Sequence, residues 1–187
     1  MEWIAVTSRQ ILQFPQWTPG SYTIRDPVQH LHSLQLSAAS GSVPLRRLAP
    51  HQWLVDHVDP GRLSLTYVVE ARDLTVRTAF VDPDFASFSL AAVVMELDGC
   101  RWRPHRLAVS CSENWQVHCP LSRDGDGWRA VDFDELLDSP VQAGPFRCQS
   151  FEVLDHRHDL LLMGDPPGGW PITLKADVER ICEATCR

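Results

Sequence analysis

Short apolar runs alternate with clusters of Pro, Gly, Asp and Ser through about residue 165 of the chain. Eleven of these runs have strand length: 3–7, 11–14, 31–36, 53–55, 63–71, 76–80, 87–95, 105–110, 115–118, 148–154 and 158–163. Several alternate residue by residue. Leu63, Leu65 and Tyr67 point one way along such a strand, and Ser64 and Thr66 the other. Turn formers separate the runs at Pro19-Gly20, Asp59-Pro60-Gly61, Asp82-Pro83-Asp84, Asp124 to Gly127 and Pro166 to Gly169. This spacing predicts a mainly β chain, an antiparallel sandwich-like domain.

Only two stretches carry helical signals. Residues 132–137 predict a short helical turn with acids at its start, where they suit the helix dipole. From Thr173, a candidate cap, Leu174, Val178, Ile181, Cys182 and Thr185 recur on one face of an amphipathic helix. That helix runs to Arg187 with no glycine or proline behind it, so its apolar face needs a surface to lie against. The expected organisation is a β-rich domain over 1–170, followed by 171–187 as the linker and first helix of a further domain outside the chain.

Composition narrows the function classes. A hydrophobic fraction of 44% with 22% charged residues is that of a folded chain able to bury a core. The net charge is −7, and the densest basic spots are only Arg46-Arg47 and Arg101/Arg103. Nucleic acid is therefore not an expected partner. Lys175 and Arg180 alone precede Arg187 in the terminal helix, too few for a membrane-surface helix. No leader pattern and no run near ~20 apolar residues is present, so a membrane is not expected and a cytoplasmic location is. Six cysteines lack any C-x-x-C pair and read as free, mostly buried thiols. Seven tryptophans, spread along the chain, read as core and edge packing of strands.

Three segments could carry chemistry. In the first, Phe14 to Asp26, Pro19-Gly20 predicts a type II turn, and Tyr22 and Arg25 are candidates to reach a ligand or a neighbouring domain. A rigid corner explains the same residues. In the second, Ala71 to Phe80, Arg77 sits inside an apolar run and needs an acidic partner such as Asp73, Asp82 or Asp84. The third, Phe133 to Gly144, collects carboxylates including Asp138, which a solvated helical turn accounts for. His30/His32 and His156/His158 each fall on one face of a strand, but neither pair has an evident third ligand, so no metal site is expected. The chain contains no H-E-x-x-H, G-x-S-x-G, G-x-G-x-x-G or P-loop, so no catalytic residue is expected in it.

Four segments nevertheless form an ordered set. They are Phe14-Pro-Gln-Trp-Thr-Pro-Gly-Ser-Tyr-Thr-Ile-Arg-Asp26, Asp73-Leu-Thr-Val-Arg-Thr-Ala79, Asp134-Glu-Leu-Leu-Asp-Ser-Pro-Val-Gln-Ala-Gly-Pro-Phe146 and His158-Asp-Leu-Leu-Leu-Met-Gly164. Together they resemble the amino-terminal region of the glycyl aminopeptidase family (metallopeptidase family 61), zinc peptidases that often carry a PDZ domain. The resemblance implies a non-catalytic amino-terminal domain of a zinc aminopeptidase, shaping the cleft for peptide amino termini. Its partners would be a missing catalytic domain, which holds the zinc, and the parent's peptide substrates; the chain itself would carry no cofactor. The family often has glutamate where this chain has Gln142, and by analogy Gln142 would accept a hydrogen bond from the substrate's ammonium. Two other classes remain open at this point. One is a stand-alone β-sandwich binding module, which a patch of exposed tryptophans would favour. The other is a free-standing enzyme built on His156 and His158.

Overall fold

The alternation around Leu63 becomes the longest strand of the protein. In a computed structural model, which describes residues 1–17, 21–56 and 59–186, this strand buries Leu63 and Leu65 and leaves Arg62, Thr66 and Val68 in solvent. In chain order the strands are β1 (Glu2–Ala5), β2 (Arg9–Gln13), β3 (Leu31–Ala38), β4 (Gly41–Val43), β5 (Leu45–Ala49), β6 (Gln52–Asp56), β7 (Gly61–Val69), β8 (Ala79–Val81) and β9 (Ala86–Ser89). They continue as β10 (Glu96–Leu97), β11 (His105–Leu107), β12 (Gln116–His118), β13 (Ser122–Asp124), β14 (Gly127–Ala130), β15 (Pro140–Gly144), β16 (Arg147–Val153) and β17 (His156–Leu162). Among the described residues, two α-helices, α1 (Phe133–Leu137) and α2 (Leu174–Thr185), and 3₁₀ turns at Pro27–His30 and Leu90–Ala92 complete the elements. The expected mainly β, antiparallel class with a carboxy-terminal helix is what the structure shows.

Two cores organise the strands. The sheets β1-β7-β3-β4 and β10-β2-β6-β5 send Leu12, Leu36, Trp53, Val55, Leu63 and Leu65 into one cluster, closed by Phe14. The sheets β12-β15-β9-β8 and β11-β14-β13 share a second cluster with α1, around Trp128, Phe133, Leu136, Leu137 and Val141. The hairpin β16-β17 stands as its own two-stranded sheet, and α2 packs on β16. At Gly127 the strands approach so closely that a Cβ would run into the Leu107 carbonyl of β11, so only glycine fits there.

The α1 helix is short enough to depend on its cap. Asp132 Oδ1 accepts from the Glu135 amide at 2.9 Å, and Glu135 reaches back to the Val131 amide at 2.5 Å. This reciprocal brace satisfies the Glu135 first-turn donor and ties down the amide before the cap, in a helix otherwise too short to persist. Ser139 then donates to the Glu135 carbonyl, and the chain leaves directly into β15.

Several expectations are corrected. The run 76–80 is a strand only from Ala79; Val76 is 88% exposed and Arg77 lies in a turn, half-buried, not inside an apolar strand. The Thr75 hydroxyl accepts from the Arg77 amide and meets the Thr78 hydroxyl at 2.8 Å, so side chains offer this backbone a turn instead of a ladder. The run 87–95 is a strand only to Ser89. Leu90, Ala91 and Ala92 are all buried in a 3₁₀ turn, and a short apolar run cannot tell a fully buried turn from a buried strand. His30 closes a 3₁₀ turn while His32 lies in β3, so that pair does not share a strand face. In α2 only Leu174, Val178 and Cys182 of the predicted face are half-buried, and Ile181 is 65% exposed. Thr173 precedes α2 but makes no side-chain cap bond; it and Arg180 bond Asp177, holding that carboxyl below its ordinary range. All six thiols are free, yet none is buried. Trp53 and Trp128 are core residues, whereas Trp17 and Trp102 are exposed. Among the described residues no helix is long and apolar enough to cross a membrane.

Candidate functional site

Strand β15 is the structural base of the site. Its alternation turns Val141 and Ala143 inward, where Val141 joins the second core, and leaves Pro140 and Gln142 on the opposite face. The neighbouring β12 matches it: His118 lies opposite Gln142, and Val117 packs against the core. Pro140, Gln142, Gln116 and His118 therefore line one open cleft of about 870 Å³. Arg123 and Trp128, from β13 and β14, flank it on one side. Cys148, Arg157 and Asp159, from the hairpin β16-β17, flank it on the other.

The Gln142 side chain is held across the sheet. Its Nε2 donates to the Ser87 hydroxyl at 2.9 Å, from the residue it opposes in β9. With the nitrogen engaged, the amide oxygen is the group left to accept a donor from the cleft. Arg123 lies over the Trp128 ring, 4.1 Å from its centroid. Among the described residues Trp128 is the only Phe, Tyr or Trp lining the cleft, and the Arg123 guanidinium covers its ring, so these residues offer no bare aromatic platform for a sugar.

The cleft also holds titratable groups. Burial pushes His118 below its ordinary pKa, and its Nε2 is buried with no hydrogen-bond partner among the described residues. Hydrogen bonds from Ser150 and Arg157 hold the Asp159 carboxyl below the usual carboxylate range. Donor atoms of His118, Cys148 and Asp159 all lie within 4.8 Å of one another. No short spacing in the sequence links residues so far apart; the hairpin register puts Cys148 and Asp159 on neighbouring positions, and the packing of the hairpin sets His118 of β12 beside them.

The other sequence candidates lie elsewhere. Asp138 is the exposed C-cap of α1 and does not line the cleft. Tyr22 is fully exposed, and Arg25 borders a separate concavity of about 150 Å³ with Glu70, Asp73 and Arg77. The corner that carries them is closed by its own bonds. The Trp17 indole donates to the Ser21 carbonyl at 2.7 Å, and the Arg25 amide donates to Gln16 at 3.0 Å. The turn predicted at Pro19-Gly20 lies outside the described residues. His158 stacks on Phe151 at 5.2 Å and turns its Nδ1 to the His156 carbonyl, so that pair does not converge on a common ligand.

Residues 4–145, from β1 through β15, match the family model of the peptidase M61 N-terminal domain. The chain belongs to this family. The resemblance carried by the tryptophan–turn and D-S-P-V-Q-A-G segments is thereby established, and the cleft strand β15 lies within the matched region of this M61 N-terminal domain. Among solved structures, an aminopeptidase N family protein from Idiomarina loihiensis is similar, with a TM-score of 0.86 and 26% identity. The similarity covers 97% of this chain and 32% of that one, so the M61 domain spans about a third of its structural relative. No curated protein matches it in sequence.

Proposed function

We propose that this M61 N-terminal domain is a non-catalytic part of a zinc-dependent aminopeptidase and forms one wall of the cleft that admits peptide amino termini. The observation that carries the proposal is Gln142. It stands on the cleft face of a core-anchored strand, with its nitrogen tied to Ser87 and its oxygen free to accept from an ammonium group. The zinc and the general base would come from polypeptide outside these residues, because the chain contains no H-E-x-x-H. There the metal would polarise the scissile carbonyl and lower the pKa of its water. Residues 171–187 would lead into that catalytic domain. Exposed Leu154, Ile172 and Ile181 give it apolar surface to cover near the hairpin and α2. Six unpaired thiols suit a reducing cytoplasm.

A hydrogen bond to a charged group contributes about 1.5–3 kcal/mol, or roughly 10–100-fold. In an active aminopeptidase carrying this domain, Gln142→Ala is expected to lower kcat/KM for aminoacyl substrates by that factor. Gln142→Glu retains an acceptor and keeps activity. Asp138→Asn, outside the cleft, changes kcat/KM by less than about twofold, within the ordinary effect of a surface substitution. Steady-state kinetics on an aminoacyl reporter decide it. An unchanged kcat/KM in Gln142→Ala removes the basis of the proposal.

A further inference from the structure

We propose that His118, Cys148 and Asp159 form a binding site for a zinc-class divalent cation that clips the hairpin β16-β17 to the sheet of β12 and β15. The three come from three strands, and their donor atoms already lie within 4.8 Å of one another. Ligand atoms around a tetrahedral zinc stand roughly 3.5 Å apart, given bonds of about 2.0–2.3 Å. Cys148 and Asp159 are exposed side chains, so small rotations close the difference.

Convergence distinguishes this cluster from a nucleophilic relay of the same residue types. In a Cys–His–Asp relay the thiol and the carboxylate sit on opposite ring nitrogens, which separates sulfur and oxygen by more than about 6 Å. Here the sulfur, nitrogen and oxygen atoms all lie within 4.8 Å of one another, too close for that arrangement. The carboxylate is also held in place by its own hydrogen bonds. Asp159 Oδ1 accepts from Ser150 at 2.6 Å and from Arg157 at 2.9 Å, which leaves Oδ2 for a cation. Arg157 also donates to Ser150 at 3.0 Å, so the orienting pair is itself braced.

The donor set selects the metal. One sulfur, one imidazole nitrogen and one carboxylate oxygen suit zinc or cobalt, whereas magnesium and calcium take oxygen ligands. Binding replaces the Cys148 thiol proton with the metal and releases that proton to solvent. Thiolate and carboxylate then balance the two positive charges, Arg157 stays paired with Asp159, and water completes the tetrahedron.

The test is cobalt titration of the chelator-stripped 187-residue chain. One equivalent is expected to bind, with a sulfur-to-cobalt charge-transfer band in the near ultraviolet. Cys148→Ser should abolish the band and weaken binding by more than about 100-fold, beyond the range of an outer-shell change. Cys111→Ser, at another exposed thiol, should leave both intact. Ser150→Ala should weaken binding by about 10-fold or more, through the carboxylate it orients. Circular dichroism of each variant confirms that the exposed substitutions leave the fold in place. Absence of stoichiometric binding overturns the proposal. So does a band that survives Cys148→Ser in the folded protein.

Discussion

Replacing Phe133 with alanine is expected to cost about 3–5 kcal/mol of folding stability. The ring is 1% exposed and sits in the second core beside Trp128, Leu136 and Val141. It also anchors the junction between the two cores. His105 meets its edge at 5.4 Å, and the Arg101 guanidinium lies 5.7 Å from its centroid. Arg101 in turn holds Glu96 of β10 at 2.6 Å and Asp134 of α1 at 2.8 Å. Alanine leaves a cavity the short α1 cannot close, because its cap and the Phe133 amide bond to Arg101 fix its position. Out of a typical 5–15 kcal/mol, that is a large fraction of the whole. Urea unfolding followed by tryptophan fluorescence measures it as a lowered midpoint at unchanged slope. Phe133→Leu, which refills part of the space, should cost distinctly less. A loss below about 1 kcal/mol for Phe133→Ala would show that this core is not packed as described.

The second large effect is on alkaline stability. Burial raises the Tyr67 phenol from 10.0 to about 12, while its hydroxyl donates to the Val93 carbonyl at 2.8 Å. The folded state thus holds a proton that the unfolded chain releases near pH 10. Above that pH the native state binds more protons than the unfolded one, so stability falls as pH rises. The contribution is complete below pH 10 and is lost by about pH 12, a change of about 2–3 kcal/mol. Tyr67→Phe cannot ionise. At neutral pH the variant should be less stable by ~1 kcal/mol, because the Val93 carbonyl loses its donor. Near pH 12 the order should reverse, with the variant the more stable protein. Denaturant midpoints of both proteins across this range check the crossing; parallel pH profiles would contradict it.

What could be read without coordinates depended on whether a segment's burial was periodic. In β7 one face is buried and one is wet, so Leu63 and Leu65 announced the strand and its orientation. The same holds for α1, whose acids and buried Leu136 and Leu137 lie at helical spacing. Strand β15 was hidden because Pro140, Ala143 and Gly144 look like loop residues, although Val141 and Gln142 alternate as any strand does. Leu90, Ala91 and Ala92 misled for the opposite reason: their uninterrupted burial erases the period. Gln142 was legible as a candidate only through family resemblance. Its neighbours in the cleft were not, because His118, Cys148 and Asp159 meet through the hairpin register and tertiary packing rather than through any local spacing.

On the proposed reading, aminopeptidase chemistry needs polypeptide beyond these residues, because the chain contains no H-E-x-x-H. Its most direct test is hydrolysis of a glycyl or alanyl fluorogenic amide by the purified 187-residue chain, supplied with zinc and assayed beside a longer protein in which this domain precedes an H-E-x-x-H helix. Release at the buffer rate is expected from the chain alone, even with zinc bound, and turnover only in the longer protein. Chelator-sensitive hydrolysis by the chain alone would contradict it.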